Sequence, residues 1–287
     1  MELIGVMAIL AILAAVMAPN FFRAINDAYA AAERENLQQL AEDLEHYVVT
    51  NKAIPSQSVS AWSAALSTIS NYPEADIQDN QRGYQRAIYF DPRFFTTSDT
   101  SFSGYTQSSG VSSGPNSARI MIMSDMTADM PSLSSTTSEF DAIWDQDSGA
   151  AVLESNDVKI HRLNINNLFH RVILSNPNTS QTAYALDSGS QNPVPAASGG
   201  TDGVADFWVI EGTELRLFAP PYPSGSLSTV SLIDSVFSYS FEDPTAGTGT
   251  GTGTGGNNGN AGNNGGNNGV GGGSGGGNTG NRGGGNS

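Results

Sequence analysis

The sequence has no cysteine among its 287 residues, so disulfides, thiolate metal sites and iron–sulfur clusters are excluded. Basic residues are scarce: 12 Lys and Arg stand against 28 Asp and Glu, which gives a formal net charge of −16. Only two of the basic residues are lysines, Lys52 and Lys159, and no basic run occurs. Because nucleic-acid binding needs clustered positive charge to replace phosphate counterions, this composition argues against a nucleic-acid partner.

Motifs for catalysis are also missing. The sequence contains no G-x-S-x-G elbow, no P-loop and no HExxH zinc motif, and the glycines of its C-terminal tail satisfy G-x-G-x-x-G only trivially. The three histidines, His46, His161 and His170, have no metal-ligand spacing and are interpreted as ordinary surface or half-buried residues. The sequence therefore predicts a protein that is not an enzyme and that holds no organic cofactor.

The N-terminal segment is the most informative part of the chain. Residues Leu3 to Phe22 form a run of 20 residues without a charge. As a helix this run would be about 30 Å long, the thickness of the hydrocarbon core of a bilayer. A secretory signal peptide should begin with positive charge, but here Glu2 precedes the run and Pro19 would follow the nearest cleavage pattern. The prediction is a membrane or filament-core helix whose large apolar residues are Leu3, Ile4, Val6, Ile9, Leu10, Ile12, Leu13, Val16, Phe21 and Phe22.

The helical pattern continues well past this apolar run. Residues Arg23 to Asn51 contain no proline or glycine, and Ala, Glu, Leu and Gln dominate. Leu37, Leu40, Leu44 and Tyr47 form one apolar stripe, while the nearby charged residues fall mostly on other faces. These features predict one long helix over residues 1–52 with an apolar first half (3–22) and an amphipathic second half. Within this helix, Pro19 predicts a kink or a locally melted turn, and Gly5 predicts a second point where the helix is less strongly stabilised.

This segment resembles the N-terminal segment of type IV pilins and type II secretion pseudopilins. The resemblance rests on Glu2, the Ile/Leu/Ala-rich run that ends at Val16, Pro19 seventeen residues after the glutamate, and the amphipathic helix that follows. It covers about the first 50 residues and corresponds to the prepilin methylation motif. It implies a subunit that waits in the inner membrane and then assembles into an extracellular filament of identical chains.

The resemblance also implies partners and roles for particular residues. A prepilin peptidase and the inner-membrane pilus assembly machinery would act on the chain, and Glu2 would meet the N-terminal amine of a neighbouring subunit. Small residues such as Gly5 would permit close helix approach. In the family a Phe-led tetrapeptide precedes the glutamate, whereas only Met1 does here, so we expect three further residues before Met1. The alternatives are a type II secretion pseudopilin and a single-pass membrane-anchored surface binding protein.

The pattern of residues 53–246 predicts an α+β head in which a mostly antiparallel sheet packs on the amphipathic half of the helix. Two short helices are expected at 58–70 and 166–175, and the polar stretch 96–117 is expected to form surface loops. A hairpin is expected between residues 205–210 and 214–218, which a Glu-Gly-Thr turn separates. The expected strands are residues 86–90, 119–123, 157–163, 205–210, 214–218 and 236–241.

The C-terminal tail and one acidic turn complete the predictions. Residues 247–287 hold 21 of the 33 glycines together with ten asparagines, a composition that cannot bury a core and predicts a flexible low-complexity extension. In the segment 141–149, Asp145 and Asp147 lie beside a turn glycine. These carboxylates are candidate ligands of a calcium ion, although the spacing lacks the full ligand set of an EF-hand; the alternative is a solvated acidic turn.

Overall fold

The computed structural model describes the backbone of residues 2–95, 102–107, 114–187, 191–223 and 227–242. Within the first of these ranges, the side chains of residues 2–5, 8–12 and 14–16 lie outside the description. The chain divides into two units, residues 1–253 and 254–287, and all described residues belong to the first. The tail predicted at 247–287 therefore lies outside the described residues.

A single helix of 50 residues, α1 (Glu2–Asn51), dominates the molecule, as the absence of helix breakers after residue 22 predicts. Pro19 lies inside it without interrupting it, so the melted turn expected there does not form in this described stretch, and the kink stays a prediction. The helix ends at Asn51 because Lys52 adopts a left-handed conformation with φ of 51°.

The head contains three short helices and twelve short strands among the described residues. The helices are α2 (Val59–Ser67), α3 (Glu74–Gln78) and α4 (Thr137–Asp145). The strands are β1 (Ala53–Ile54), β2 (Ala87–Phe90), β3 (Tyr105–Thr106), β4 (Arg119–Asp125), β5 (Val158–Asn164), β6 (Phe169–Asn176), β7 (Ala183–Leu186), β8 (Gln191–Val194), β9 (Gly203–Ile210), β10 (Thr213–Phe218), β11 (Leu227–Ile233) and β12 (Phe237–Ser240). The molecule is thus α+β, with a long N-terminal helix and mainly antiparallel sheets.

One sheet packs on the second half of α1. It has the antiparallel order β2-β4-β5, and its central strand β4 is buried on both faces. One face meets the helix stripe in a core that includes Leu44, Ile120 and Trp62. The other face is covered by α4, through a second cluster around Met121 and Phe140. This double cover explains why β4 is an almost continuous apolar run rather than an alternating one.

Two further sheets share a second core. The three-stranded sheet β12-β6-β9 and the four-stranded sheet β11-β10-β7-β8 bury one cluster between them, which includes Val172, Phe207, Leu215 and Leu217. All strand pairs in these sheets are antiparallel except β12 and β6, which run parallel. A two-stranded ribbon, β1-β3, lies beside the end of α1.

Three local expectations are wrong. The hairpin between residues 205–210 and 214–218 does not form, because β9 pairs with β6 whereas β10 pairs with β7 and β11. Residues 166–175 form a 3₁₀ turn and then strand β6, whose inward side chains alternate, rather than a helix. In the polar stretch 96–117, the described part contributes to the core: Phe102 stacks on Phe90, and Gln107 is buried.

Candidate functional site

The first half of α1 carries apolar side chains that the head does not cover. Among its described residues, six large apolar side chains are 52–67 % exposed: Val6, Met7, Leu13, Met17, Phe21 and Phe22. The first buried residue along the described part of α1 is Glu33, about 50 Å from the helix start at 1.5 Å per residue. This uncovered apolar surface is the candidate functional site.

The predicted assembly residues belong to the first half of α1, but the structure describes them unequally. Glu2 and Gly5 have helical backbone, yet the side chain of Glu2 lies outside the described residues, so its pairing role stays a prediction. The same holds for the side chains of Leu3, Ile4, Ile9, Leu10, Ile12 and Val16. Pro19 is exposed within the helix.

The head first reaches α1 through Arg82. Its guanidinium donates a hydrogen bond of 2.5 Å to the side-chain oxygen of Asn26 and lies 5.2 Å from the centre of the Tyr29 ring. The same side chain donates to the carbonyl of Met126 at 3.3 Å. Asn26 and Tyr29 therefore mark the boundary between the uncovered and covered halves of the helix.

A buried ion pair fixes the helix to the head just beyond this boundary. Arg86 Nε and Nη2 donate to the two carboxylate oxygens of Glu33 at 2.6 and 2.8 Å, and the two side chains are only 3 % and 1 % exposed. Arg86 Nη1 donates to the carbonyls of Asp76, Ile77 and Asp79 at 2.6–3.0 Å. Because a buried charge is stable only when its hydrogen bonds are satisfied, this geometry ties α1 firmly to α3 and to the strand that follows.

The sequence pattern does not predict this pair, because the charged residues of the helix are expected to fall mostly on faces other than the apolar stripe. Glu33 lies four residues before Leu37, on the same stripe as Leu40 and Leu44. A carboxylate at a stripe position is a signal for a buried cation, but nothing in the local pattern identifies Arg86 as the partner.

The end of α1 is fixed by Lys52. Its ammonium donates to the carbonyls of Val49, at 2.6 Å, and of Glu211, so that it joins the last turn of the helix to the segment between β9 and β10. Burial lowers the pKa of Lys52, and the nearby Glu211 carboxylate partly opposes that effect. The covered half of α1 is thus held by a cation near each end.

A second charged cluster lies on the edge of the β2-β4-β5 sheet. Asp91 is fully buried and accepts hydrogen bonds from Arg93, Ser117 and Arg119 at 2.7–2.9 Å. Burial by itself raises the pKa of Asp91, but these hydrogen bonds outweigh it and lower the pKa to about 2. The cluster is internally satisfied, so it is interpreted as a structural network.

The same cluster bears on the calcium prediction. Asp141, the first carboxylate of the segment 141–149, accepts from Arg93 at 2.7 Å and from Arg119 at 2.5 Å, so it is already paired with two cations. Asp145 and Asp147 are exposed at the end of α4 and just after it. Across the described ranges, no three His, Asp or Glu side chains are grouped so that they could hold a metal ion. The calcium site stays a prediction that this geometry does not support.

A cavity of about 240 Å³ opens between α1 and α3, and its lining contains no arrangement for catalysis among the described residues. The side chains around it are amides, carboxylates, apolar groups and the paired Arg86, with no serine, lysine or histidine. They are Asn36, Gln39, Leu40, Tyr72, Asp76, Ile77, Asp79, Asn80, Gln81 and Arg86.

Among the residues whose placement is described, no helix combines the length and the apolar character that crossing a membrane requires. No protein-family model, no curated protein and no solved structure matches this chain. The function therefore has to be argued from the residues and geometry given above.

Proposed function

We propose that this chain is a non-enzymatic structural subunit of an extracellular filament of the type IV pilus kind, assembled through the first half of α1. One observation carries the proposal: the same continuous helix buries one stripe in the head between Glu33 and Val48, whereas six large apolar side chains among its described residues from Val6 to Phe22 are uncovered. A folded head attached to a long apolar helix segment, here the first half of α1 (the rod), is what a helical homopolymer with a central helix bundle requires.

The energetics favour an environment that surrounds the rod. Leaving a large apolar side chain in water rather than burying it costs about 1.5–3 kcal/mol. Six such side chains, Val6, Met7, Leu13, Met17, Phe21 and Phe22, are uncovered in the isolated chain. Lipid tails and a bundle of identical helices are similarly apolar, so either can cover the rod and transfer between them costs little. This is the physical basis of a subunit that is stored in the inner membrane and then moved into an extracellular filament.

The covered half of α1 is suited to transmit force. Arg86 fastens it to the head near one end and Lys52 near the other, with an apolar stripe buried between them. A pull on the helix is therefore resisted by the head as a whole. The proposed partners are further copies of the chain, together with a prepilin peptidase and the inner-membrane assembly machinery.

The proposal is tested by replacing Glu2 in cells that express the full chain. A carboxylate at the end of an apolar run is costly unless it is paired, and intramembrane acids usually mark function. We expect Glu2→Ala to leave the protein in the membrane fraction and to abolish fibres in sheared material seen by electron microscopy. Glu35→Ala, which removes an exposed acid from the covered half of the same helix, is the matched control and should give normal fibres.

Three results would redirect the proposal. Normal fibres from Glu2→Ala would remove the charge-pairing mechanism. Short periplasmic filaments without surface fibres in the unmodified strain would favour the type II secretion pseudopilin. Recovery of the unmodified chain only as a monomer in membrane extracts would favour the membrane-anchored binding protein.

A further inference from the structure

Strand β11 is the edge strand of the four-stranded sheet and has an unusual composition for that position. It pairs with β10 on one side, and among the described residues no main-chain partner lies on its other side. Its seven residues, LSTVSLI, contain no charge, no proline and no glycine. A free edge of this kind can pair with any suitable strand, so proteins usually block it.

The other edges of the described sheets are blocked or short. Strand β8 carries Pro193, β9 carries Asp206 paired with Arg171, and β5 carries Lys159 and Arg162. Strands β2 and β12 have only four residues each. Strand β11 alone among these edges is long, uncharged and free of proline. Its one irregularity is a shift of register at Ser228, near its first residue, so the edge from Thr229 to Ile233 is regular.

The outward face of the same sheet carries several exposed apolar side chains. Val230 and Leu232 project there and are 49 % and 67 % exposed, and Leu227 lies at the near end of the strand with 47 % exposure. In the neighbouring strands, Phe218 and Tyr184 continue this surface, since they face one another across β10 and β7. Four of the large apolar side chains exposed on the head fall within ten residues of sequence: Leu227, Val230, Leu232 and Val236.

This face is also electrically neutral, which matters for the choice of partner. Its charged residues on β10 and β11 are Glu214 and Arg216, which pair with one another at 3.0 Å. The chain as a whole carries a net charge of −16, so like-charge repulsion opposes the approach of a second copy. The β11 edge lets two copies approach without like-charge contact, and it offers nothing to a strongly charged partner.

We propose that β11 pairs with β11 of a second copy of this chain, so that the two four-stranded sheets form one continuous eight-stranded sheet. The two copies would be related by a two-fold axis through Val230, the middle residue of the strand, which makes the contact self-complementary. Antiparallel addition of this kind satisfies the free main-chain groups and brings the Val230 side chains together. The contact involves the head and does not depend on the filament proposal.

A disulfide tests the pairing directly, because the chain has no cysteine of its own. Directly opposed residues of an antiparallel pair have Cα atoms about 4.5–5.5 Å apart, within the range of about 4.4–6.8 Å that a disulfide accepts. The full chain with Val230→Cys, extracted in detergent and mildly oxidised, should give a covalent dimer on a non-reducing gel. Val204→Cys, at a site 53 % exposed on the edge strand β9, is the control and should give several-fold less. Equal yields from the two variants, or no dimer from Val230→Cys, would overturn the proposal.

A second pair of variants measures the contact without a covalent bond. Val230→Lys places a charge at the middle of the edge and should lower the mass of the detergent-extracted full chain from dimer to monomer, whereas Val204→Lys should leave it unchanged. Circular dichroism that matches the parent confirms that both variants fold. A Val230→Lys chain that remains dimeric contradicts the pairing.

Two combinations separate this proposal from its alternatives. Glu2→Ala combined with Val230→Cys should still give the covalent dimer, so loss of fibres and loss of the head contact are read independently. Deletion of residues 247–287 from the Val230→Cys chain should leave the yield unchanged. A dimer that appears only after this deletion would assign the edge to the chain's own tail and overturn pairing between copies.

Discussion

The two halves of α1 share one helix and similar helix-forming residues but differ in what covers them. In the second half, Leu37, Leu40, Leu44 and Val48 lie on one stripe and are buried by the head. In the first half, apolar side chains at Val6, Met7, Leu13, Met17 and the two phenylalanines Phe21 and Phe22 are exposed. The second half is thus complete within one chain, whereas the first is not.

The difference follows from the arrangement of polar residues around the helix. An amphipathic helix needs cover on one side only, and a single head can supply it. A helix that is apolar on all sides needs cover all round, which one head attached along the other half does not give. This contrast is why the head covers the apolar stripe in one half of the helix and leaves apolar side chains exposed in the other.

The largest loss of stability is expected when the Glu33–Arg86 ion pair, which lies at the start of the covered half of α1, is broken. Arg86→Met leaves the Glu33 carboxylate and three carbonyls buried without their donor, which should lower the free energy of unfolding by about 3–5 kcal/mol. Arg171→Met, which removes an exposed pair with Asp206, should leave the free energy of unfolding nearly unchanged, because solvent screens an exposed ion pair. Chemical denaturation of the full chain in detergent measures both.

A double substitution sharpens this test. Replacing both partners, Glu33→Leu with Arg86→Met, removes the unpaired charge and should recover part of the loss. If Arg86→Met lowers the free energy of unfolding as little as Arg171→Met does, the Glu33–Arg86 pair does not anchor the helix. The boundary between the two halves of α1 is then not set by this pair.

The sequence predicts the long helix and six of the twelve described strands, because the signals of these elements are local. A long stretch without proline or glycine predicts α1, and β-branched or aromatic residues predict β4, β5 and β9. The pairing of strands is not local. The Glu-Gly-Thr turn before β10 is typical of a hairpin, but β10 instead pairs with β7 and β11 because these strands complete the second core. The helix predicted over residues 166–175 is wrong because an apolar run of this length fits either a helix or a buried strand, and here most of it forms β6.

The candidate site divides in a similar way. The uncovered apolar surface follows from the composition of residues 3–22, so the sequence predicts it directly. The Glu33–Arg86 pair joins residues 53 positions apart and depends on how the head folds over the helix. The free edge of β11 was missed entirely, because a strand shows its edge position only once its neighbours are known.

A smaller effect is expected from truncating one apolar side chain in each half. Leu44 is fully buried in the core against the head, so Leu44→Ala should cost about 2–5 kcal/mol of unfolding free energy, near 3 if the cavity partly collapses. Met17 is 67 % exposed, so Met17→Ala should change the unfolding free energy by less than about 0.5 kcal/mol. Thermal and urea unfolding, followed by circular dichroism, compare the two. Similar losses in both variants would mean that the first half is also packed in the isolated chain, and the contrast drawn above would fail.

The smallest effect concerns pH and the covered half alone. His161 lies on β5, the strand that packs along α1. Burial lowers the pKa of His161, the Glu42 carboxylate on α1 opposes that effect, and Arg162 lowers the pKa further. A histidine in the unfolded chain has a pKa of about 6.5, and His161 in the folded chain binds a proton less readily. The contribution of His161 to stability is therefore fully present above about pH 6.5. The contribution is lost as the pH falls through the folded pKa. The urea concentration at the midpoint of unfolding should therefore decline slightly in the parent as the pH is lowered from 8 to 5, and it should decline less in His161→Gln. His46→Gln, at an exposed position of α1, is the control. A parent and His161→Gln with parallel pH profiles would show that β5 and α1 do not shield this imidazole from water.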